Sequence, residues 1–239
     1  MSIAGHAVGR LAKATRSCLG ALLARDCLLC AAPSADSLLC PACSDSLPRL
    51  PKERCPICAS PTPVSEICGA CLKQAPHFDA TTAVFCYEFP LDRLIQALKY
   101  GHRLACADFL GGELARLATP LRHDFILPVP LSAARLAQRG FNQALELARP
   151  LARALGAPLE TERIHRRRDT TPQASLPWKE RAKNIRHAFE CDVDLTGQTV
   201  LLVDDVMTTG ATLDELARTL KAHGATRVEN RVLARALKD

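Results

Sequence analysis

At 239 residues the chain has room for one sizeable α/β domain and a small accessory domain. Hydrophobic residues make up 48% and aromatics 4%, so the core must be built from Leu, Ala and Val. No apolar run approaches the ~20 residues that span a bilayer, and the start, with Arg10, Lys13 and Arg16, lacks the apolar stretch of a secretory leader. The expectation is a cytoplasmic protein without a membrane span. The net charge is +6. The run His165-Arg166-Arg167-Arg168, preceded by Arg135, Arg139, Arg149 and Arg153, favours phosphates, pyrophosphate or nucleic acid, although any one of these is equally at home as a solvated surface charge.

Residues 1–24 read as an N-terminal helix or extension, and residues 25–75 as a cysteine-rich module. Of twelve cysteines, eight fall in four Cys-x-x-Cys pairs: Cys27/Cys30, Cys40/Cys43, Cys55/Cys58 and Cys68/Cys71. Nine residues separate Cys30 from Cys40 and nine separate Cys58 from Cys68, so the unit is duplicated. Two such turns complete a tetrahedron of thiolates around Zn²⁺. Disulfides do not suit a chain with no mark of secretion, and a redox role calls for one pair beside a βαβ unit, not four in tandem. With all four ligands from protein, such a site is structural, and metal supplies much of the folding free energy of so small a segment. Consecutive pairing groups Cys27, Cys30, Cys40 and Cys43 in one site and Cys55, Cys58, Cys68 and Cys71 in another; interleaved pairing is also compatible with the spacing. Cys18, Cys86, Cys106 and Cys191 read as small buried hydrophobes.

From residue 80 onward strands alternate with helices. TTAVFCYEF (81–89) is β-branched and aromatic, and LDRLIQALKY (91–100) is helical with Gly101 as its cap. A helix follows over about 104–117, then FILPVP (125–130), whose prolines end a strand and open a loop. LSAARLAQRGFNQALELARPLARAL is helical on either side of Arg139-Gly140, ERIHRRR (162–168) is a weak edge strand, and 169–184 is a long loop entering a short helix. TVLLVDD (199–205) has the composition of a buried strand, ATLDELARTLKAHG (211–224) is a helix, and TRVENRVLARA a final strand. This order implies a parallel sheet with helices on both faces over residues 80–239.

The segment LLVDDVMTTGAT (201–212) carries the chemistry. Ligands bind beyond the carboxyl ends of parallel strands, where Asp204 and Asp205 stand. The turn Thr208-Thr209-Gly210-Ala211-Thr212 leads into a helix, so backbone N–H groups, hydroxyls and the helix dipole suit a phosphate. Adjacent carboxylates repel unless they meet sugar hydroxyls or a hydrated divalent cation. A ligand with a 5′-phosphate, a vicinal diol and a metal-bound pyrophosphate answers all of these at once.

VLLVDDVMTTGAT resembles the phosphoribosyl pyrophosphate-binding motif of type I phosphoribosyltransferases. From about residue 27 to the end the chain is similar to the ComF family, in which a cysteine-rich double zinc ribbon precedes such a domain. The matching stretches are the four cysteine pairs, ALKYG (97–101), PVP with RGFNQA (128–144), TPQ followed by Arg181 and Asn184, and the acidic motif. The resemblance implies an α/β, type I phosphoribosyltransferase-like parallel sheet with flanking helices, and a link to DNA uptake in natural transformation. It implies that Asp204 and Asp205 hold the ribose hydroxyls and the Mg²⁺ shell, and that Thr208, Thr209, Gly210, Ala211 and Thr212 hold the 5′-phosphate. Arg135 or Arg139 would neutralise the pyrophosphate, as would Lys99, though a last-turn lysine also suits a helix dipole. Residues 169–184 would form a lid, with Thr171, Gln173, Arg181 and Asn184 as contacts. Phe85, Tyr87 and Phe89 either stack an acceptor base or belong to the core. Three functions follow: Mg²⁺-dependent phosphoribosyl transfer, a phosphoribosyl or nucleotide sensor without turnover, or an accessory protein handling single-stranded DNA beside uptake proteins.

Overall fold

The computed structural model describes residues 26–117, 122–168 and 181–237, and the chain divides between Leu47 and Pro48 into two compact units. Each unit contains one copy of the duplicated cysteine knuckle, and the turn hydrogen bonds of the first pair recur in both copies. In the first, Cys27 N–H donates to Ala32 O at 2.8 Å and Ala31 N–H to Cys27 O at 2.9 Å; in the second, Cys55 N–H donates to Ser60 O at 2.8 Å and Ala59 N–H to Cys55 O at 2.9 Å. The residue after the first pair of each copy is left-handed, Ala31 at φ 59° and Ala59 at φ 58°. The second half of each copy is a single helical turn, α1 (Pro41–Asp45) and α2 (Gly69–Lys73). Elements this short do not hold themselves together.

The second unit is built on a four-stranded parallel sheet. Its strands are β1 (Ala80–Cys86), β2 (Phe125–Pro128), β5 (Thr199–Met207) and β6 (Arg227–Arg235), in the order β1-β6-β5-β2. β5 and β6 are central and almost continuously buried, as the Leu/Val-rich run of a two-sided parallel sheet should be. Between β1 and β2 run α3 (Leu91–Gly101) and α4 (Ala105–Arg116); after β2 come α5 (Ala133–Arg139) and α6 (Gln143–Leu155). α3 buries Leu91, Leu94, Ile95 and Leu98, the stripe expected at helical spacing. α4 and α6 approach closely at Gly111, where a Cβ would lie 2.8 Å from Pro150 Cγ and 2.9 Å from Leu147 O. Two short strands, β3 (Ile164–Arg166) and β4 (Phe189–Cys191), form a separate antiparallel pair, with α7 (Arg181–Ile185) between them in sequence. α8 (Ala211–Ala222) joins β5 to β6.

Several boundaries differ from expectation, among them the end of β1 at Cys86 and of α8 at Ala222. α3 runs through Gly101, and His102 takes the left-handed cap position at φ 51°; histidine is among the few non-glycine types that tolerate it. β5 continues to Met207, because Val206 and Met207 still pair with Ala234 and Arg235 of β6. The strand over 162–168 shortens to three residues and pairs with β4, not with the main sheet. There the basic run is partly neutralised: Arg167 pairs with Glu190, Arg163 Nη2 lies 2.7 Å from Glu160 Oε2, and Arg166 is buried over the Phe189 ring. Among the described residues no helix is long and apolar enough to cross a membrane.

Candidate functional site

The acidic pair lies within the ladder of the central strand. Asp204 sits opposite Val232 of β6, three residues before β5 ends. Successive strand side chains leave on opposite faces, and the two carboxylates have different surroundings: Asp205 is buried and Asp204 half-buried. Each accepts the amide of the following residue at 2.8 Å, Asp205 N–H to Asp204 Oδ1 and Val206 N–H to Asp205 Oδ1. Lys99, near the end of α3, answers the like-charge problem. Its Nζ lies 2.6 Å from Asp205 Oδ2, with the two side chains 19% and 6% exposed. Burial opposes the lysine charge, but Asp205, with Asp204 beyond it, holds the Lys99 pKa above its usual value. Desolvation and then the Asp205 charge push the Asp204 carboxyl well above the ordinary carboxylate range.

Behind the carboxylates the chain turns sharply. Gly210 is buried and left-handed at φ 82°, at the N-cap of α8, and a Cβ there would lie 2.7 Å from Met207 Cε. Thr208, Thr209 and Thr212 are half-buried. The Ala211 amide donates to Thr209 Oγ1 at 3.1 Å, so one of the donors expected for a phosphate already has a partner. The first-turn N–H groups of α8 otherwise have no intrahelical carbonyl to meet.

The arginines take unequal places. Ser132 caps α5 by accepting the Arg135 amide, and the Arg135 side chain is half-buried. Arg139 stacks over Tyr100 with its guanidinium carbon 5.5 Å from the ring centre, and its Nη1 donates to Gln143 Oε1 at 2.9 Å. Its charge acts against that of Lys99, which puts Lys99, Tyr100 and Arg139 in one neighbourhood. Asn142 fixes this corner: its Nδ2 donates to Val129 O at 3.1 Å and its Oδ1 accepts the Ala144 amide at 3.0 Å, tying the end of β2 to the start of α6. Of the expected lid residues, Thr171 and Gln173 lie outside the described residues. Arg181 opens α7, its side chain likewise outside the description, and Asn184 is half-buried on the same helix. This helix is held near α8 by His187 N–H, which donates to Glu215 Oε1 at 2.7 Å.

Phe85 is fully buried, with the Arg49 guanidinium 4.5 Å above its ring, and belongs to the core. Tyr87 is half-buried and feels the charges of Lys99 and Asp205, while Phe89 is 73% and Tyr100 67% exposed. Sequence reasoning left Tyr100 out because nothing in a helical periodicity marks a ring that an arginine from another helix will cover. It named Lys99 without its partner, since a pairing across 106 residues of chain leaves no local signal.

The cysteines form two separate groups with consecutive pairing. Within Cys27, Cys30, Cys40 and Cys43, and again within Cys55, Cys58, Cys68 and Cys71, all four sulfur atoms lie within 4.8 Å of one another. Desolvation opposes their charge, yet amides of Cys40, Cys30 and Leu29 directed at Cys27 lower its pKa to about 6. Ser60 similarly lowers Cys58 to about 7. Four converging sulfurs are the donor set of structural zinc, and both groups fit it. Cys86, Cys106 and Cys191 are buried and isolated from these groups.

Known proteins match in the same two parts. A Phosphoribosyl transferase domain model matches residues 142–239 and a Double zinc ribbon domain model residues 18–72. The DNA utilization protein YhgH of Escherichia coli O157:H7 is 37% identical over 169 residues, 68% of this chain and 74% of that protein. Competence protein F of Haemophilus influenzae is 34% identical over 171 residues, 67% of this chain and 75% of that protein. The chain belongs to the ComF family. Among solved structures, the glutamine phosphoribosylpyrophosphate amidotransferase of B. subtilis, complexed with ADP and GMP, overlaps 53% of the ComF chain and 25% of its own, at 23% identity and a TM-score of 0.37. The ComF chain therefore joins a phosphoribosyltransferase-like parallel sheet to two four-cysteine sites suited to two structural zinc ions.

Proposed function

We propose that this ComF protein binds phosphoribosyl pyrophosphate with Mg²⁺ at the carboxyl end of β5 and transfers the phosphoribosyl group to an acceptor. The observation that carries this reading is the convergence of three features on one strand end: the half-buried Asp204, the buried Lys99–Asp205 pair and the Thr208–Thr212 turn opening α8. In this reading the turn binds the 5′-phosphate through its hydroxyls and first-turn amides, with Ala211 exchanging Thr209 for a phosphate oxygen. Asp204, the more open carboxylate, takes the ribose hydroxyls or the cation's hydration shell. Asp205 holds Lys99 in place. Arg139, already oriented by Tyr100 and Gln143, supplies a fork of donors to the pyrophosphate side. Oxygen donors suit Mg²⁺; when bound, the ion would neutralise charge on the leaving pyrophosphate. Positioning and charge stabilisation then carry the reaction without a covalent nucleophile.

Titration of the zinc-loaded protein with phosphoribosyl pyrophosphate and Mg²⁺ tests the site. Binding that vanishes in Asp204→Asn supports the pocket, and undiminished binding in that variant sinks it. Pyrophosphate release on adding purine or pyrimidine bases distinguishes transfer from mere sensing.

A second reading draws on the names of the relatives and on the exposed rings of Phe89 and Tyr100. Exposed aromatic faces beside an arginine suit the stacking of single-stranded DNA. Salt-sensitive DNA binding that survives Asp204→Asn but is lost in Phe89→Ala/Tyr100→Ala would favour this accessory role.

A further inference from the structure

The second cysteine knuckle and the phosphate-binding turn share one buried side chain. Arg235, the last residue of β6, is 6% exposed and lies opposite Met207 in the ladder. Its Nε donates to Cys58 O at 2.9 Å and its Nη2 to Ser60 Oγ at 3.2 Å. Its Nη1 donates to Met207 O at 3.0 Å, to Ala236 O at 2.6 Å and to Thr208 O. The planar guanidinium thus faces the knuckle with one edge and the first residues of the turn with the other, a division that a point-charge ammonium cannot reproduce. Ser60 Oγ is also 3.3 Å from Cys58 Sγ, so the hydroxyl that meets Arg235 touches a sulfur of the second cysteine group. A second contact runs in parallel. Phe78, in the same apolar cluster as Cys55, Cys58 and Cys71, has its ring 3.7 Å from where a Cβ on Gly210 would lie.

We infer that Arg235 is a positioning residue that makes the second cysteine site part of the scaffold of the phosphoribosyl pocket: ordering of the knuckle holds the Met207 and Thr208 carbonyls and so sets the turn that follows. The inference rests on the pocket reading above for its consequence in ligand binding, though not for the coupling itself. Outer partners of a metal ligand tune the ligands; here the same bonds reach onward to the backbone from which the anion-binding amides project. Loss of metal from this site therefore loosens the pocket without any change in its own side chains.

Two readouts on the zinc-loaded full chain separate the coupling from the pocket. Amide hydrogen exchange at Ala211 and Ala236, whose N–H groups donate to Thr209 Oγ1 and Met207 O, reports the turn directly, and titration with phosphoribosyl pyrophosphate and Mg²⁺ reports its consequence. Arg235→Lys keeps the charge and removes the fork; it is expected to speed exchange at these amides and weaken the ligand, each by about tenfold, the effect of losing one or two net hydrogen bonds. Ser60→Ala, a milder variant that leaves every cysteine and Arg235 in place, should give about fivefold in both, and Ser60→Thr should restore them. Zinc content and exchange at the β5 amides of Leu201–Val203 stay unchanged in the serine variants. Cys68→Ser, which breaks the second site alone, should loosen the same turn. The inference is overturned if the turn amides do not respond to Arg235→Lys and Ser60→Ala, or if Leu201–Val203 accelerate equally, which would mean general destabilisation. A turn that loosens as expected in a protein that never binds the ligand supports the coupling and refutes the pocket.

Discussion

Removing Lys99 tests most directly why the molecule tolerates two adjacent acids. In Lys99→Met the aliphatic stem and its packing on α3 are kept, but Asp205, its side chain 6% exposed, loses the one cation that pairs with its carboxylate among the described residues. Breaking a fully buried pair costs about 3–5 kcal/mol. The Lys99 side chain is 19% exposed, so water can reach part of the site, and we expect roughly 2–3 kcal/mol. Converted at ~2–4 °C per kcal/mol for a unit of this size, the melting temperature falls by about 4–12 °C. The matching variant Asp205→Asn should also be destabilising, and the double variant Lys99→Met/Asp205→Asn should recover much of the loss, with a coupling of about 1–3 kcal/mol in urea denaturation of the zinc-loaded protein. Additive single effects, or a Lys99→Met protein within about 0.5 kcal/mol of the parent, would refute the claim that this contact resolves the acidic pair.

The remaining expectations need simpler measurements. Glu229 has its pKa lowered to about 2 by the hydrogen bond from His123 at 3.0 Å and by Arg227. A depressed carboxyl adds stability above its unfolded value, lost as pH falls from about 4.5 toward 2; Glu229→Gln should therefore flatten the acid limb of a stability-versus-pH curve, and an unchanged limb would exclude this pair as its source. Metal analysis should find zinc at about two per chain, the number two four-cysteine sites hold, while Cys55→Ser retains about one; iron, or no metal in reduced protein, would defeat the assignment. Gly210→Ala places a side chain at φ 82° and 2.7 Å from Met207 Cε. Met207 can move, so the cost is mainly backbone strain of about 1–2 kcal/mol, read by denaturation together with weakened phosphoribosyl pyrophosphate binding; an unaffected ligand affinity would separate the turn from the site.

Much of the architecture was legible because it depends on near neighbours in sequence. Cys-x-x-Cys spacing makes a knuckle wherever it occurs, and the duplication at Cys27 and Cys55 repeats the same turn. The Leu/Val run before Asp204 is a central strand because only a two-sided sheet buries so much apolar chain. The stripe Leu91, Leu94, Ile95 and Leu98 is a helix face by spacing alone. Boundaries were less legible where a partner decides them: β5 gains Val206 and Met207 only because β6 continues beside it.

The sequence by itself determined that the protein has paired cysteine turns, an alternating α/β core and an acid-acid-turn segment at the end of a buried strand. Those features are local in the chain, so spacing and residue type suffice to define them. Only the tertiary structure decided which charges share a site. Asp205 is matched to Lys99, Arg139 leans on Tyr100, the basic run near Arg167 is partly neutralised by its own strand partner, and Arg235 reaches from the end of the sheet to the Cys58 knuckle. Electrostatic and hydrogen-bond partners are chosen by proximity in space, and no periodicity in the chain encodes a contact between residues brought together by the crossing of separate strands and helices.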